Sequence, residues 1–210
     1  MITSPTKAVP LASGYDDPGI ESQTAFRAMM DALARPGTII PLASTLTPPP
    51  APLTPALAAL ALMVLDFEVT FWLSPALAAQ ESVGHYLTFH TGAKRVNSPD
   101  QADFALVDLR KDALTLAQFN QGNAEYPDQS TTILALVDGL EGGTTHTLKG
   151  AGIADKISLA VTNLPSDFAA QCVANRAQFP LGVDLVFVGD GMLIGLPRTT
   201  ILTANNAGEP

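Results

Sequence analysis

The sequence predicts a three-layer α/β domain built on a mixed β-sheet. Helix-like and strand-like segments intermingle along the whole chain. The strand segments are apolar without alternating polar positions, so both faces of the sheet need cover. A β-hairpin closes the chain within Phe179–Thr200, FPLGVDLVFVGDGMLIGLPRTT. Asp190-Gly191 between two β-prone runs is the strongest short-range hairpin signal, a type I′ turn, and it sets the pairing. Gly189 is expected opposite Met192, Val188 opposite Leu193, Phe187 opposite Ile194, Val186 opposite Gly195 and Leu185 opposite Leu196. The hairpin reads as the middle of the sheet, covered by helices or by a partner chain.

In chain order, residues 1–16 read as a flexible lead-in, with Pro5, Pro10 and Gly14 and no periodicity, and residues 17–203 as a single α/β domain. Asp17-Pro18 supplies an N-cap and a first-turn proline. Phe26, Met29, Met30 and Leu33 then recur at helical spacing and predict one buried face. Arg35-Pro36-Gly37 ends this helix. Thr38–Leu42 is a short strand. Residues 47–55, TPPPAPLTP, form a stiff polyproline-like bridge to a helix from Ala56 to about Leu65. Further strands are expected at Val69–Leu73, Phe104–Leu109, Thr131–Val137, around Leu148 and at Ile157–Val161, with Gly150-Ala151-Gly152 turning between the last two. Helices are expected at Ser82–Thr91 and, briefly, at Thr115–Phe119. A final helix is capped by Ser166 and buries Phe168, Cys172, Val173 and Phe179.

Composition narrows the function classes. Charged residues are 15% of the chain and apolar residues 47%, against a typical ~25% charged, so part of the surface is expected to be an interface. A net charge of −9 argues against a nucleic-acid groove, which needs a surplus of Lys and Arg. The longest apolar run, Ala56–Leu65, is about half a membrane span, and the N-terminus lacks a signal-peptide pattern. One cysteine excludes an internal disulfide and suits a reducing, cytoplasmic setting.

The search for chemistry yields little. Gly150-Ala-Gly152 is followed at the third place by Asp155, so it is a turn and not a dinucleotide fingerprint, and no P-loop occurs. His85, His90 and His146 have no metal-ligand spacing, so no metal site is expected. Cys172 sits on an apolar helix face as an inert thiol. None of Lys7, Lys94, Lys111, Lys149 or Lys156 has a visible Schiff-base context. Arg35, Arg176 and Arg198 stand out, each beside hydroxyls or amides near a chain reversal, where they could converge on a phosphate or carboxylate. Against that, Asp31 sits four residues before Arg35 in the order that favours a helix pair, and for Arg176 and Arg198 an internal or subunit-interface ion pair is the favoured reading over an anion site. Pro180, Gly182, Asp184, Asp190 and Gly191 read as structural or interface residues, with Asp184 nearly opposite Arg198 at the hairpin base. No catalytic constellation is evident.

Six stretches together carry a resemblance: FRAMMDALARPGTI from Phe26, Phe71-Trp72-Leu73, FHTGA from Phe89, Leu148 with Gly150-Ala-Gly152-Ile153, FPLGVDL from Phe179, and LPRTT ending at Thr200. In this order, spanning Tyr15 to Thr200, they resemble the H subunit family of the carbon-phosphorus lyase core complex of phosphonate breakdown. The resemblance implies a fold similar to the pyridoxal-phosphate-dependent transferases without the cofactor. It also implies a homodimer in isolation and assembly with the G, I and J subunits. With G, I and L, the family member supports attack of a phosphonate on the ribose of ATP. Adenine leaves, ribose methylphosphonate triphosphate forms, and J then cleaves the C–P bond. The expectation is a non-autonomous subunit without cofactor, meeting ATP and phosphonate through the complex. The contrasting readings are a stand-alone pyridoxal-phosphate or phosphosugar enzyme and a module that binds phosphorylated sugars.

Overall fold

The computed structural model describes residues 12–42, 44, 46 and 48–204. A seven-stranded mixed sheet runs through the molecule in the order β1-β9-β8-β5-β4-β2-β3. Its strands are β1 (Ile40–Pro41), β2 (Thr70–Leu73), β3 (Lys94–Arg95), β4 (Phe104–Asp108), β5 (Thr132–Leu136), β8 (Asp184–Gly189) and β9 (Met192–Leu196). The five strands from β8 to β3 are mutually parallel, and β9 and β1 are antiparallel to their neighbours. Both edge strands are two residues long. One ends in Pro41 and the other consists of exposed Lys94 and Arg95.

The hairpin adopts the expected register at all five pairs, around Asp190 and Gly191 with φ of 50° and 70°. Successive residues of β4, β5 and β8 feed opposite cores. Leu106, Leu134, Leu136, Val186 and Val188 face the helices α1 (Pro18–Ala34), α2 (Pro55–Val64) and α4 (Glu81–Thr91). Ala105, Val107, Ile133, Ala135, Leu185 and Phe187 face the other way, toward α5 (Phe168–Ala177) and a three-stranded antiparallel sheet. That small sheet is formed by β6 (His146–Lys149), β7 (Ile157–Leu159) and β10 (Ile201–Ala204), in the order β10-β6-β7. Cover on this face is therefore part helix and part sheet. The short α3 (Pro75–Ala78) follows β2. No helix among the described residues is long and apolar enough to cross a membrane.

Several expectations are corrected by packing. Helix α1 starts as read, with the Asp17 carboxylate accepting from the Ile20 N–H at 3.2 Å. Its buried residues are Ala25, Ala28, Met29 and Ala32, whereas Phe26 and Met30 are 53% and 49% exposed. The reason is proximity. A Cβ on Gly195 would lie 2.4 Å from the Ala32 carbonyl oxygen, so only small side chains fit between helix and sheet. Helix α5 is preceded by Asp167, not Ser166, at its N-cap; it buries Phe168 and Cys172 and leaves Val173 and Phe179 each 60% exposed. Those two positions face away from the core filled by their neighbours. The proline bridge, whose Thr47 lies outside the described residues, is no straight rod: the Leu53 N–H donates to the Pro50 carbonyl and closes a turn. The 115–119 segment is a single 3₁₀ turn, Leu116–Gln118.

Residues 1–11 of the lead-in lie outside the described residues. Residues 12–16 are fastened to the helical layer: Tyr86 donates to the Ser13 carbonyl, Tyr15 to the Ala59 carbonyl, and His90 Nε2 lies 2.9 Å from the Ala12 oxygen. Burial pushes both tyrosine hydroxyls above their ordinary pKa, which keeps them as donors.

Candidate functional site at the hairpin base

Helix α5, the Phe179–Val183 reversal and the two ends of the hairpin meet at one end of the sheet. Asn175, buried on the last turns of α5, donates from Nδ2 to the Val183 carbonyl and accepts from the Val183 N–H, both at 2.8 Å. Gly182 allows this closeness, since a Cβ there would fall 2.8 Å from Asn175 Oδ1 at a φ of 114°. The peptide before Pro180 is cis. The reversal thus delivers Asp184 to the start of β8 with its carboxylate turned toward the end of β9.

Arg198 answers it. Its backbone N–H donates to Asp184 Oδ1 at 2.7 Å, and its Nη2 meets Asp184 Oδ2 at 2.5 Å. Nε lies 3.2 Å from both carboxylate oxygens. Nη1 donates to the carbonyls of Pro127 and Pro180 at 3.0 and 3.3 Å, and Nη2 also reaches Ser130 Oγ at 2.5 Å. A guanidinium has five N–H donors, and all five have acceptors here. An anion could reach Arg198 only by displacing the protein's own groups.

Arg176 lies next to this clamp in a different state. Its Nε donates to the Thr199 carbonyl at 3.3 Å, and Arg176, Phe179 and Thr199 bound a shallow depression of about 180 Å3. Phe179 and Thr199 also border the neighbouring depression that contains Arg198. The structure therefore brings Arg176 and Arg198 together around Thr199. Arg35 lies at the end of α1 and pairs with Asp31 at 3.0 Å, with both side chains more than half exposed, an interaction worth about 0.3–0.5 kcal/mol. The Gly150-Ala151-Gly152 turn links these neighbourhoods: Gly152 lies against Ala34 and Pro36, and Gly150 against Thr199–Ile201.

A second ion pair had no counterpart in the sequence reading. Asp108, fully buried at the carboxyl end of β4, accepts from Arg110 Nε at 2.7 Å and Nη2 at 2.8 Å, while its own N–H donates to Ser74 Oγ at 3.1 Å. These hydrogen bonds raise the Arg110 pKa above its ordinary value. The pair sits where β2 has β3 on one side and β4 on the other, the kind of switch point at which open α/β sheets bind ligands. Asp138 adds to the negative charge around Arg110, so this end is poorly suited to an anion. The sequence signal, Asp-Leu-Arg closing an apolar strand, is visible only once the strand end is known to be buried.

The remaining candidates are quiet. Burial pushes the Cys172 thiol up to about 12, which leaves it protonated and unreactive at neutral pH. The four described lysines, Lys94, Lys111, Lys149 and Lys156, are all exposed. Among the described residues, no three His, Cys, Asp or Glu side chains are grouped to hold a metal ion.

The chain matches the family described as "Bacterial phosphonate metabolism protein (PhnH)" over residues 13–203. It is 42% identical over 191 residues, covering 91% of this chain and 94% of the relative, to the alpha-D-ribose 1-methylphosphonate 5-triphosphate synthase subunit PhnH of Rhizobium meliloti (strain 1021). It is also 31% identical over 188 residues, 88% of this chain and 87% of the relative, to the putative C-P lyase subunit protein HtxG of Stutzerimonas stutzeri. The match takes in the helix, the hairpin and the clamped reversal described above, and on it the chain belongs to the PhnH family of bacterial phosphonate metabolism proteins.

Proposed function

We propose that this chain is a non-autonomous subunit of a carbon-phosphorus lyase core complex. In that role it supports the synthesis of α-D-ribose 1-methylphosphonate 5-triphosphate from ATP and a phosphonate. The observation that carries this reading is 42% identity along nearly the full length of both chains to a protein named as a subunit of that synthase. Residues 17–203 act as one unit, self-associated as a homodimer when isolated and joined in the cytoplasm to the G, I, J and L subunits. The layered sheet is compatible with kinship to the pyridoxal-phosphate-dependent transferases, with the fold kept and the cofactor chemistry dispensed with; none of the four described lysines is buried as a desolvated Schiff-base lysine would be.

Of the three arginines singled out in the sequence, Arg198 organises the reversal. Arg176 and Arg35 keep guanidinium surface available for an anion, Arg176 the more so. The transferase chemistry itself belongs to the assembled complex. Purified chain incubated with ATP and methylphosphonate is expected to release no adenine, and adenine release is expected once the G, I and L subunits are added. Turnover by the chain alone would overturn the reading in favour of a stand-alone enzyme. A visible-edge absorbance band removed by borohydride would point to pyridoxal phosphate.

A further inference from the structure

The outer face of α5 carries chemistry that the clamp beneath it does not use. Arg176 has Val173 one turn before it on the same face, and Phe179 follows just past the helix end. Ile201, two residues beyond Thr199, is exposed beside them in sequence. The bond from Arg176 Nε to the Thr199 carbonyl tethers the guanidinium at one point and leaves its four Nη hydrogens without a protein acceptor among the described residues. Thr199 is itself held in place, since the residue before it is anchored by five side-chain donors and the Thr200 N–H donates to the Pro197 carbonyl. The site is thus an exposed cation, tethered at Nε and without an ion-pair partner among the described residues, flanked by open apolar side chains, on a chain with 11 basic and 20 acidic residues.

Arginine and aromatic residues set in an apolar surround are what the energetic centres of protein interfaces are made of. The geometry also argues against a small ligand. The depression at Arg176 runs on past Phe179 and Thr199 into the open one at Arg198, a broad shallow surface and not a cleft that encloses most of a small molecule. It is large enough to seat a side chain. We propose that this patch docks a partner subunit, which places an aspartate or glutamate carboxylate on the Nη edge of Arg176 and an apolar neighbour against Phe179 and Val173. The carboxylate follows from charge complementarity: a desolvated guanidinium without an internal partner needs an anion, and a fork-to-fork pair is its best match. The inference rests on the reading of the chain as a subunit.

The test is co-expression of the full chain with the other subunits of the complex, capture through a tag on one of them, and measurement of the affinity of the captured chain. Arg176→Ala and Phe179→Ala alter exposed side chains, and an unchanged melting temperature would confirm that each variant folds. Each variant is expected to weaken capture about tenfold or more, and their combination further. Wild-type capture matched by the double variant would overturn the docking site and leave the subunit reading standing. Failure of the wild type to be captured would overturn both. If inorganic phosphate or ATP raised the melting temperature of the wild type but not of Arg176→Ala, the patch would be a small-anion site instead. If the double variant changed only the self-association of the isolated chain, the patch would belong to a second copy.

Discussion

The two faces of the central sheet are held by different physics. On the helical face, α1 and α2 lie over the sheet through alanines and leucines, and Gly195 lets the backbone of α1 come within contact of β9. Cohesion there is apolar burial at close range. On the opposite face, the core includes Phe168, Cys172 and Phe187, and polar groups do much of the fastening. Asn175 closes the reversal, and Arg198 ties together Pro127, Ser130, Pro180 and Asp184. Apolar burial tolerates loss by degrees, whereas a polar clamp fails as a unit, because removing one member strands the others without partners.

The largest expected effect tests that contrast directly. Arg198→Ala leaves Asp184 without its counter-charge and Ser130 and two carbonyls without a donor. The cost is expected to be about 3 kcal/mol, read as a fall of roughly 6–12 °C in melting temperature; a loss under about 1 kcal/mol, as for a surface pair, would erase the distinction. Next comes Gly195→Ala, which forces a methyl toward the Ala32 carbonyl. Overpacking of this kind costs roughly 1–3 kcal/mol, measurable by urea unfolding, and a neutral result would show that α1 can lift from β9. The smallest effect is pH-dependent and belongs to the polar face. His146, buried on β6 near the Phe168 ring, has its pKa lowered by desolvation. The unfolded chain therefore takes up this proton first, so the contribution of neutral His146 is intact above the ordinary value of about 6.5 and declines as pH falls below it. Comparing wild type with His146→Gln across pH 5 to 7.5 should show a shallower acid slope in the variant.

The same contrast explains what could be read in advance. The hairpin register was legible because a two-residue turn and a period of two leave no freedom. The start of α1 was legible because its cap is local. The buried face of α1 differs from the sequence expectation for a packing reason: Phe26-Met29-Met30-Leu33 and Ala25-Ala28-Met29-Ala32 both have helical spacing, and size favours the first while proximity to the sheet selects the second. Nothing in the residues around Ala32 announces that Gly195 will lie against it. Likewise, Asp184 opposite Arg198 could be read from the register, but the Pro127 carbonyl and the Ser130 hydroxyl come from another part of the chain. Strands β3 and β10 carry little sequence signal, since one is two charged residues long and the other follows LPRTT with only four residues.

The two ends of the large sheet have a bearing on how the chain stays unaggregated in a crowded setting. An open sheet whose outermost strands were long and apolar would present ready templates for other chains to extend by backbone pairing. Here one rim is a dipeptide whose proline lacks a donor, and the other is a dipeptide of two cations. Both rims are thus poor templates for backbone pairing between molecules.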